Sequence, residues 1–168
     1  YPTGLTTIHM DMDTLNMCES YRVRGATIND LPHILNFIAQ EAVESEGRVA
    51  DLSKLETGIS TALNNQAIAI YWILVDQDSQ PVGCTSVVKE WNDWNAGYYW
   101  WIQSLFIVPG HRGKGLLNVM MDAVAVDTKA DSCLEIRLYV HRDNARAIRA
   151  YQKAEFQPSD YQIMSKKL

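Results

Sequence analysis

Val108-Pro109-Gly110-His111-Arg112-Gly113-Lys114-Gly115-Leu116 is the stretch on which the reading of this 168-residue sequence turns. Just before it, Tyr98–Val108 is a nearly unbroken apolar run, which reads as a strand covered on both faces. Pro109-Gly110 breaks that strand. From Gly113 a helix is expected to about Ala130, with Leu117, Met120, Met121, Val124 and Ala125 on its apolar face. Between strand and helix lies a basic, glycine-rich turn. The first N–H groups of a helix have no partner inside the helix, and the macrodipole adds partial positive charge there. Glycine lets a bulky anion approach the backbone, and Arg112 and Lys114 add charge. The turn therefore reads as a phosphate site. It is not a Walker loop, because the GxxxxGK[ST] spacing is absent, and the GxGxxG dinucleotide pattern is missing. A turn of this composition also serves as a plain flexible connection, so its meaning depends on the rest of the chain.

Upstream, Ile68–Val75 and Pro81–Glu90 are rich in β-branched and aromatic residues and flank the polar Asp76–Pro81, the pattern of a hairpin. Glu90–Gly97, with Trp91 and Trp94, is read as the next turn. Leu31, Ile34, Leu35, Ile38, Ala39 and Ala42 form a stripe at helical spacing, opened by Asn29-Asp30 and ended by Gly47. A second helix starts at Asp51 or Ser53 and carries Leu52, Leu55, Ile59 and Leu63 on one side. Tyr21–Gly25 is a first strand. Downstream, Leu134, Ile136, Leu138 and Val140 alternate with polar and aromatic residues as in a strand. Asp143-Asn144 then caps a helix over Ala145–Lys153, and Phe156 and Tyr161–Lys166 supply closing strands. The order is βααβββαβαβ, an α/β single-domain chain with a mixed sheet. Residues 1–20, with Met10, Met12 and Met17, read as an N-terminal arm ahead of a domain over 21–168.

Hydrophobic residues make up 47% of the chain and charged residues 21%, enough to build a core without metal or disulfide staples. The net charge of −5, from 15 basic and 20 acidic side chains, argues against a nucleic-acid partner. It suits a cationic substrate such as an amine, and equally a solvated acidic surface. Cys18, Cys84 and Cys133 are odd in number and widely spaced, which gives no metal site and fits a reduced, cytoplasmic protein. There is no run of 18 apolar residues and no signal peptide, so no membrane partner is expected.

Two motifs carry a resemblance. Arg112-Gly113-Lys114-Gly115 after a Leu-Phe-Ile-Val strand resembles motif A of the GNAT (GCN5-related) N-acetyltransferase superfamily. Leu138-Tyr139-Val140, then Asp143-Asn144-Ala145-Arg146-Ala147, Tyr151 and Phe156, resembles motif B. Ala26-Thr27 and Asp30 resemble the opening of the domain, so the similarity runs from Tyr21 to Leu168. The resemblance implies a mixed, mostly antiparallel twisted sheet flanked by helices. It also implies acetyl-CoA as co-substrate, with no metal. The turn Arg112, Gly113, Lys114, Gly115, Leu116 and Leu117 then holds the pyrophosphate. Leu105, Phe106 and Ile107 offer backbone groups to the pantetheine arm, and Asn144 lies near it. Leu117 departs from the family pattern, which has Gly or Ala there. A branch with a Trp-Ile-Gln-Ser central strand accepts bulky residues at that position, and Trp101-Ile102-Gln103-Ser104 resembles that branch.

Acetyl transfer needs a polarised thioester, a neutral amine, a proton for the leaving thiolate and alignment of the two substrates. The resemblance implies that N–H groups in a splayed part of Leu105–Ile107 polarise the carbonyl. Tyr151 is the candidate general acid: a phenol near 10 stays protonated at neutral pH and can donate to a thiolate near 8.5. Asn144 and Tyr151, seven apart, share a helix face. At helical spacing Tyr151 also reads as a core aromatic. Gln103 stands where polyamine acetyltransferases carry a Glu. It cannot take up a proton, so it is a substrate-binding candidate together with Trp101 and Trp91, whose rings suit a cation. The base stays open among Asp93, Glu90, the Glu41–Glu46 cluster and a water chain. That cluster reads as a solvated helix end or as an acidic rim for an amine. His111 reads as an exposed loop side chain, Cys84 and Cys133 as small buried hydrophobes. The expected function is N-acetylation of a primary amine on a small molecule. A protein or peptide N-acetyltransferase and a non-catalytic acyl-CoA sensor remain as alternatives. A homodimer through Tyr161–Lys166 is expected from the resemblance.

Overall fold

The computed structural model describes residues 20–168, so all of the expected arm but Ser20 lies outside the described residues. Five strands are formed: β1 (Arg22–Gly25), β2 (Ile70–Val75), β3 (Pro81–Asn92), β4 (Gly97–Ile107) and β5 (Cys133–Leu138). Four helices accompany them: α1 (Leu31–Glu46), α2 (Leu52–Leu63), α3 (Leu116–Thr128) and α4 (Ala145–Lys153). The sheet runs in the order β1-β2-β3-β4-β5. The first three pairings are antiparallel and β4–β5 is parallel. A parallel pair needs a crossover, and α3 supplies it.

Strand alternation distributes the core to both faces. Tyr71, Ile73 and Val75 of β2 pack with Ile34, Phe37 and Ile59 under α1 and α2. Trp72 and Leu74 point the other way, to Trp100, Met120 and Val124 under α3. Phe37 and Phe106 stack at 5.6 Å on the first face. On the second, the Trp72 indole N–H donates to Asp127 at 2.8 Å and ties β2 to α3. Asp30 closes the start of α1. Its carboxylate accepts two bonds of 2.8 Å from Arg24 and one of 2.8 Å from the Thr27 N–H, half of a capping box.

Several boundaries differ from the sequence reading, each for a local reason. Gly113 and Gly115 take left-handed φ values of 77° and 73°, so α3 begins at Leu116 and not at Gly113. Its buried residues are Leu116, Met120, Met121 and Val124, with Leu117 half-buried at the edge. The β3–β4 hairpin is longer than expected, because Asn92 turns the chain by accepting the Asn95 N–H at 2.9 Å. The closing strands do not form. Glu155 turns left-handed at φ 68°, and the Phe156 N–H bonds back to the Tyr151 carbonyl at 2.9 Å. Phe156 then sits edge-on to Tyr151, and Tyr161 and Ile163 beyond it are exposed. Pro158, which has no N–H to give a ladder, lies at the head of that segment.

Candidate active site

The site begins with one extra residue in β4. Ser86 of β3 faces Ser104 while Val87 faces Ile102, which leaves Gln103 as a bulge. Across it Ile102 and Leu105, three apart, both pack on the α3 side of the sheet. The bulge coincides with the end of the β4–β5 ladder, whose last pair is Ile102 with Leu138. Gln103–Ile107 therefore has a strand neighbour on one side only, and the two parallel strands part.

A cleft of about 1280 Å³ opens where they part. Gln103, Leu105, Phe106 and Ile107 form its floor, and Arg112, Gly113 and Gly115 close one end beside Leu116 and Leu117 of α3. Asn144, Ala147 and Tyr151 of α4 make one wall, and the acidic end of α1 makes the other. Asn144 is held by capping α4, its side-chain oxygen accepting the Ala147 N–H at 3.1 Å. A floor with an unpaired strand edge, leading to a left-handed glycine turn and a helix amino terminus, suits a long ligand with an anionic end. At Gly113 and Gly115 an added Cβ meets open space, so those two positions are set by backbone conformation rather than crowding.

The sequence matches the model of the acetyltransferase (GNAT) family over residues 35–156. The chain belongs to this family. The same fold is found in a possible acetyltransferase from Clostridium difficile 630, 26% identical, with a TM-score of 0.82 over 88% of this chain and 97% of that one. A predicted acetyltransferase from Clostridium acetobutylicum, solved with acetyl-CoA, is 18% identical, with a TM-score of 0.71 over 87% of this chain and 96% of the other. A ribosomal-protein-alanine N-acetyltransferase from Brucella melitensis biovar Abortus 2308 is 15% identical, with a TM-score of 0.71 over 88% and 99%. These last two share the fold alone. No curated protein matches the sequence. Among the described residues no group of His, Cys, Asp or Glu is placed to hold a metal, and no helix is long and apolar enough to cross a membrane.

Within this GNAT cleft most of the expected cofactor and substrate residues meet. Lys114, Trp91 and Trp101 do not, and the base candidates Asp93 and Glu90 do not line it either. Lys114 turns away: its ammonium is 3.2 Å from the Tyr21 hydroxyl, which also bonds His111 Nδ1 at 2.8 Å. The three line a separate cavity of about 310 Å³, and His111 is half-buried there, not an exposed loop side chain. Trp91 lies on the distal hairpin, edge-on to Tyr98. Trp101 stacks at 4.5 Å on Tyr139, which does line the cleft, and donates its indole N–H to Glu90 at 3.2 Å. Arg112 is doubly held, giving Nε–H to the Ile107 carbonyl at 2.7 Å and Nη2–H to Glu44 at 2.8 Å.

One group of contributors was missed in the sequence, and one of the open base candidates is singled out by the fold. Arg146, Arg149 and Lys153 of α4 line the cleft, and their spacing of three and four was a legible basic stripe. Glu41, half-buried on α1, accepts the Leu105 N–H at 3.2 Å. Burial pushes its carboxyl up to about 7; the Leu105 bond restrains the rise, and the charges of Glu46 and Glu44 add to it. Tyr151 is raised above its ordinary range by burial and then by the Glu41 charge. The fully buried Cys84 thiol is raised as well, chiefly by burial, which leaves it a poor nucleophile.

Proposed function

We propose that the protein transfers the acetyl group of acetyl-CoA to a primary amine of a small molecule by direct attack, with Tyr151 as general acid. The observation that carries this reading is the convergence of the half-paired β4 edge, the Gly113–Gly115 turn and the Tyr151 face of α4 on one cleft. In this reading the pantetheine arm lies along Leu105, Phe106 and Ile107 beside Asn144, and the pyrophosphate meets the turn with Arg112. Lys114 acts on the phosphates only after leaving Tyr21. Burial and the neighbouring carboxylate keep the Tyr151 phenol protonated, the state a general acid needs.

The acidic wall of Glu41, Glu44 and Glu46 favours a cationic acceptor, with Gln103 exposed on the floor to orient it. The same reading takes residues 21–168 as the catalytic unit, places the chain in the branch with the Trp101-Ile102-Gln103-Ser104 strand, and has it act in the cytoplasm. It includes a homodimer joined through Tyr161–Lys166, whose Tyr161 and Ile163 side chains are exposed.

Calorimetric titration with acetyl-CoA and then with coenzyme A tests the cofactor half. Micromolar binding of both supports the pyrophosphate site, and release of free thiol with a panel of primary amines supports the enzyme. Binding without turnover on any amine or amino-terminal peptide would leave a non-catalytic acyl-CoA sensor as the function. Binding of neither ligand removes the reading altogether.

A further inference from the structure

A side chain occupies the backbone N–H of Leu105 on the cleft floor, and it comes from 64 residues away on another element. Glu41 sits there with its carboxylate partly open to the cleft. Resting on the reading above, an acyl carbonyl polarised at the parted edge of β4 needs that same N–H. Two acceptors cannot both take it, so the group that arrives displaces a carboxylate that remains its immediate neighbour.

We propose that Glu41 is the proton acceptor of the reaction: the acetyl carbonyl takes its place on the Leu105 N–H, and the released carboxylate draws a proton from the incoming ammonium. One proton passes from R–NH3+ to Glu41, which leaves a nitrogen lone pair. That pair forms the C–N bond at the thioester carbon, and the carbonyl π electrons move to oxygen. Collapse breaks the C–S bond, and the thiolate takes the Tyr151 proton. The nitrogen, still carrying an extra proton, returns it to the Tyr151 phenolate. Glu41 discharges its proton to water through the open cleft. The sum is an N-acetyl amine, coenzyme A as thiol and one proton.

The surroundings of Glu41 suit this task. Burial, the Leu105 N–H of β4 and the carboxylates Glu46 and Glu44 on its own helix act on it, and its own charge reaches the Cys84 thiol of β3 and the Tyr151 phenol of α4. Arg112 is engaged by Glu44, and Arg146, Arg149 and Lys153 line the α4 wall. The carboxyl already titrates near 7, where a base works best. Of those influences the Leu105 N–H alone lowers it by hydrogen bonding, so its loss to the acetyl group makes Glu41 more basic when acetyl donor is present.

Two measurements on the full chain test this. Acetyl-CoA is titrated near pH 7 in buffers of different ionisation enthalpy, into wild type and Glu41→Gln, and coenzyme A serves as the control without a carbonyl. Wild type should take up roughly 0.3–0.5 proton per molecule with acetyl-CoA, and less with coenzyme A. Glu41→Gln should bind acetyl-CoA with a Kd within about threefold of wild type and take up none. Binding without proton uptake in wild type, or equal uptake in the variant, overturns the displacement. Turnover is then followed with butylamine, 1,4-diaminobutane and lysine. Glu41→Gln should lose about 100-fold in kcat at pH 7, together with the acid limb of the kcat profile. A variant with wild-type kcat and the same acid limb overturns the base role. No turnover in wild type with these amines, the wider panel or amino-terminal peptides defeats the enzyme reading itself, and no acetyl-CoA binding defeats the site. A melt of Glu41→Gln matching or exceeding that of wild type separates these results from misfolding.

Discussion

Tyr151 and Glu41 show how two titrating groups acquire different duties in one cleft. Burial raises both, and the charge on Glu41 raises Tyr151 further, so the phenol stays protonated across the range in which the carboxyl ionises. Tyr151→Phe keeps the ring and its edge contact with Phe156 but removes the proton. The expected result is a fall in kcat of about 100-fold with unchanged acetyl-CoA affinity by calorimetry; unchanged turnover would remove Tyr151 from the role. Arg112 raises a separate point. Its guanidinium, about a quarter exposed, is shared between the Ile107 carbonyl and Glu44, an anion standing where a phosphate is expected. Glu44→Gln turns the ion pair into a weaker hydrogen bond to a neutral amide and removes a charge of the same sign as the phosphate. Acetyl-CoA should bind about threefold tighter at low ionic strength, a gain that fades at high salt because the pair is partly open to solvent.

At the scale of elements, the bulge at Gln103 and the early end of the β4–β5 ladder act together. Pairing with β3 resumes beyond the bulge, while loss of the other neighbour opens the floor of the cleft. That arrangement depends on a close approach at Gly83 of β3, where an added Cβ falls 2.6 Å from the Phe106 carbonyl oxygen. Backbone cannot yield as a side-chain tip does. Gly83→Ala should destabilise the fold by about 2–3 kcal/mol, seen as a fall in Tm of roughly 5–10 °C. It should also weaken acetyl-CoA binding, because Phe106 is part of the floor; a melt indistinguishable from wild type would show that β3 and β4 move apart freely.

For the molecule as a whole, stability should respond to pH through two carboxyls of opposite sense. Asp30 is held below its ordinary range, first by the Arg24 hydrogen bond. Its contribution is present above the unfolded value of about 3.9 and is lost as pH falls through the folded value. Glu41 is raised to about 7. Its share is present below the unfolded value of about 4.3 and is lost as pH rises through 7. Between pH 4.5 and 7 wild type should therefore lose stability that Glu41→Gln retains. Calorimetric melts should place the variant about 2–4 °C above wild type at pH 8 and level with it at pH 4. A constant difference at both pH values would mean that the Glu41 charge is not what the fold resists.

What the sequence by itself determined is whatever nearest neighbours along the chain dictate. Alternation set the strands, a stripe at spacings of three and four set α1, and Asn144 placed the start of α4 where the structure has it. The basic turn was legible because strand end, glycines and helix start are contiguous. The tertiary structure alone decided what depends on partners remote in sequence. The Gln103 bulge exists only in the register against β3. Lys114 looked like a phosphate ligand until Tyr21, 93 residues away, proved to hold it. Phe156 looked like strand until it packed back on Tyr151, and the segment beyond has no sheet partner among the described residues. Glu41 could not be told from Glu44 and Glu46, a cluster that read as a solvated helix end, an acidic rim or a source of the base, because helical spacing records which face a residue occupies but not what the fold brings against it. Burial and a hydrogen bond from the opposite layer turn such a carboxylate into a group that titrates near neutrality, and both are properties of the packed chain.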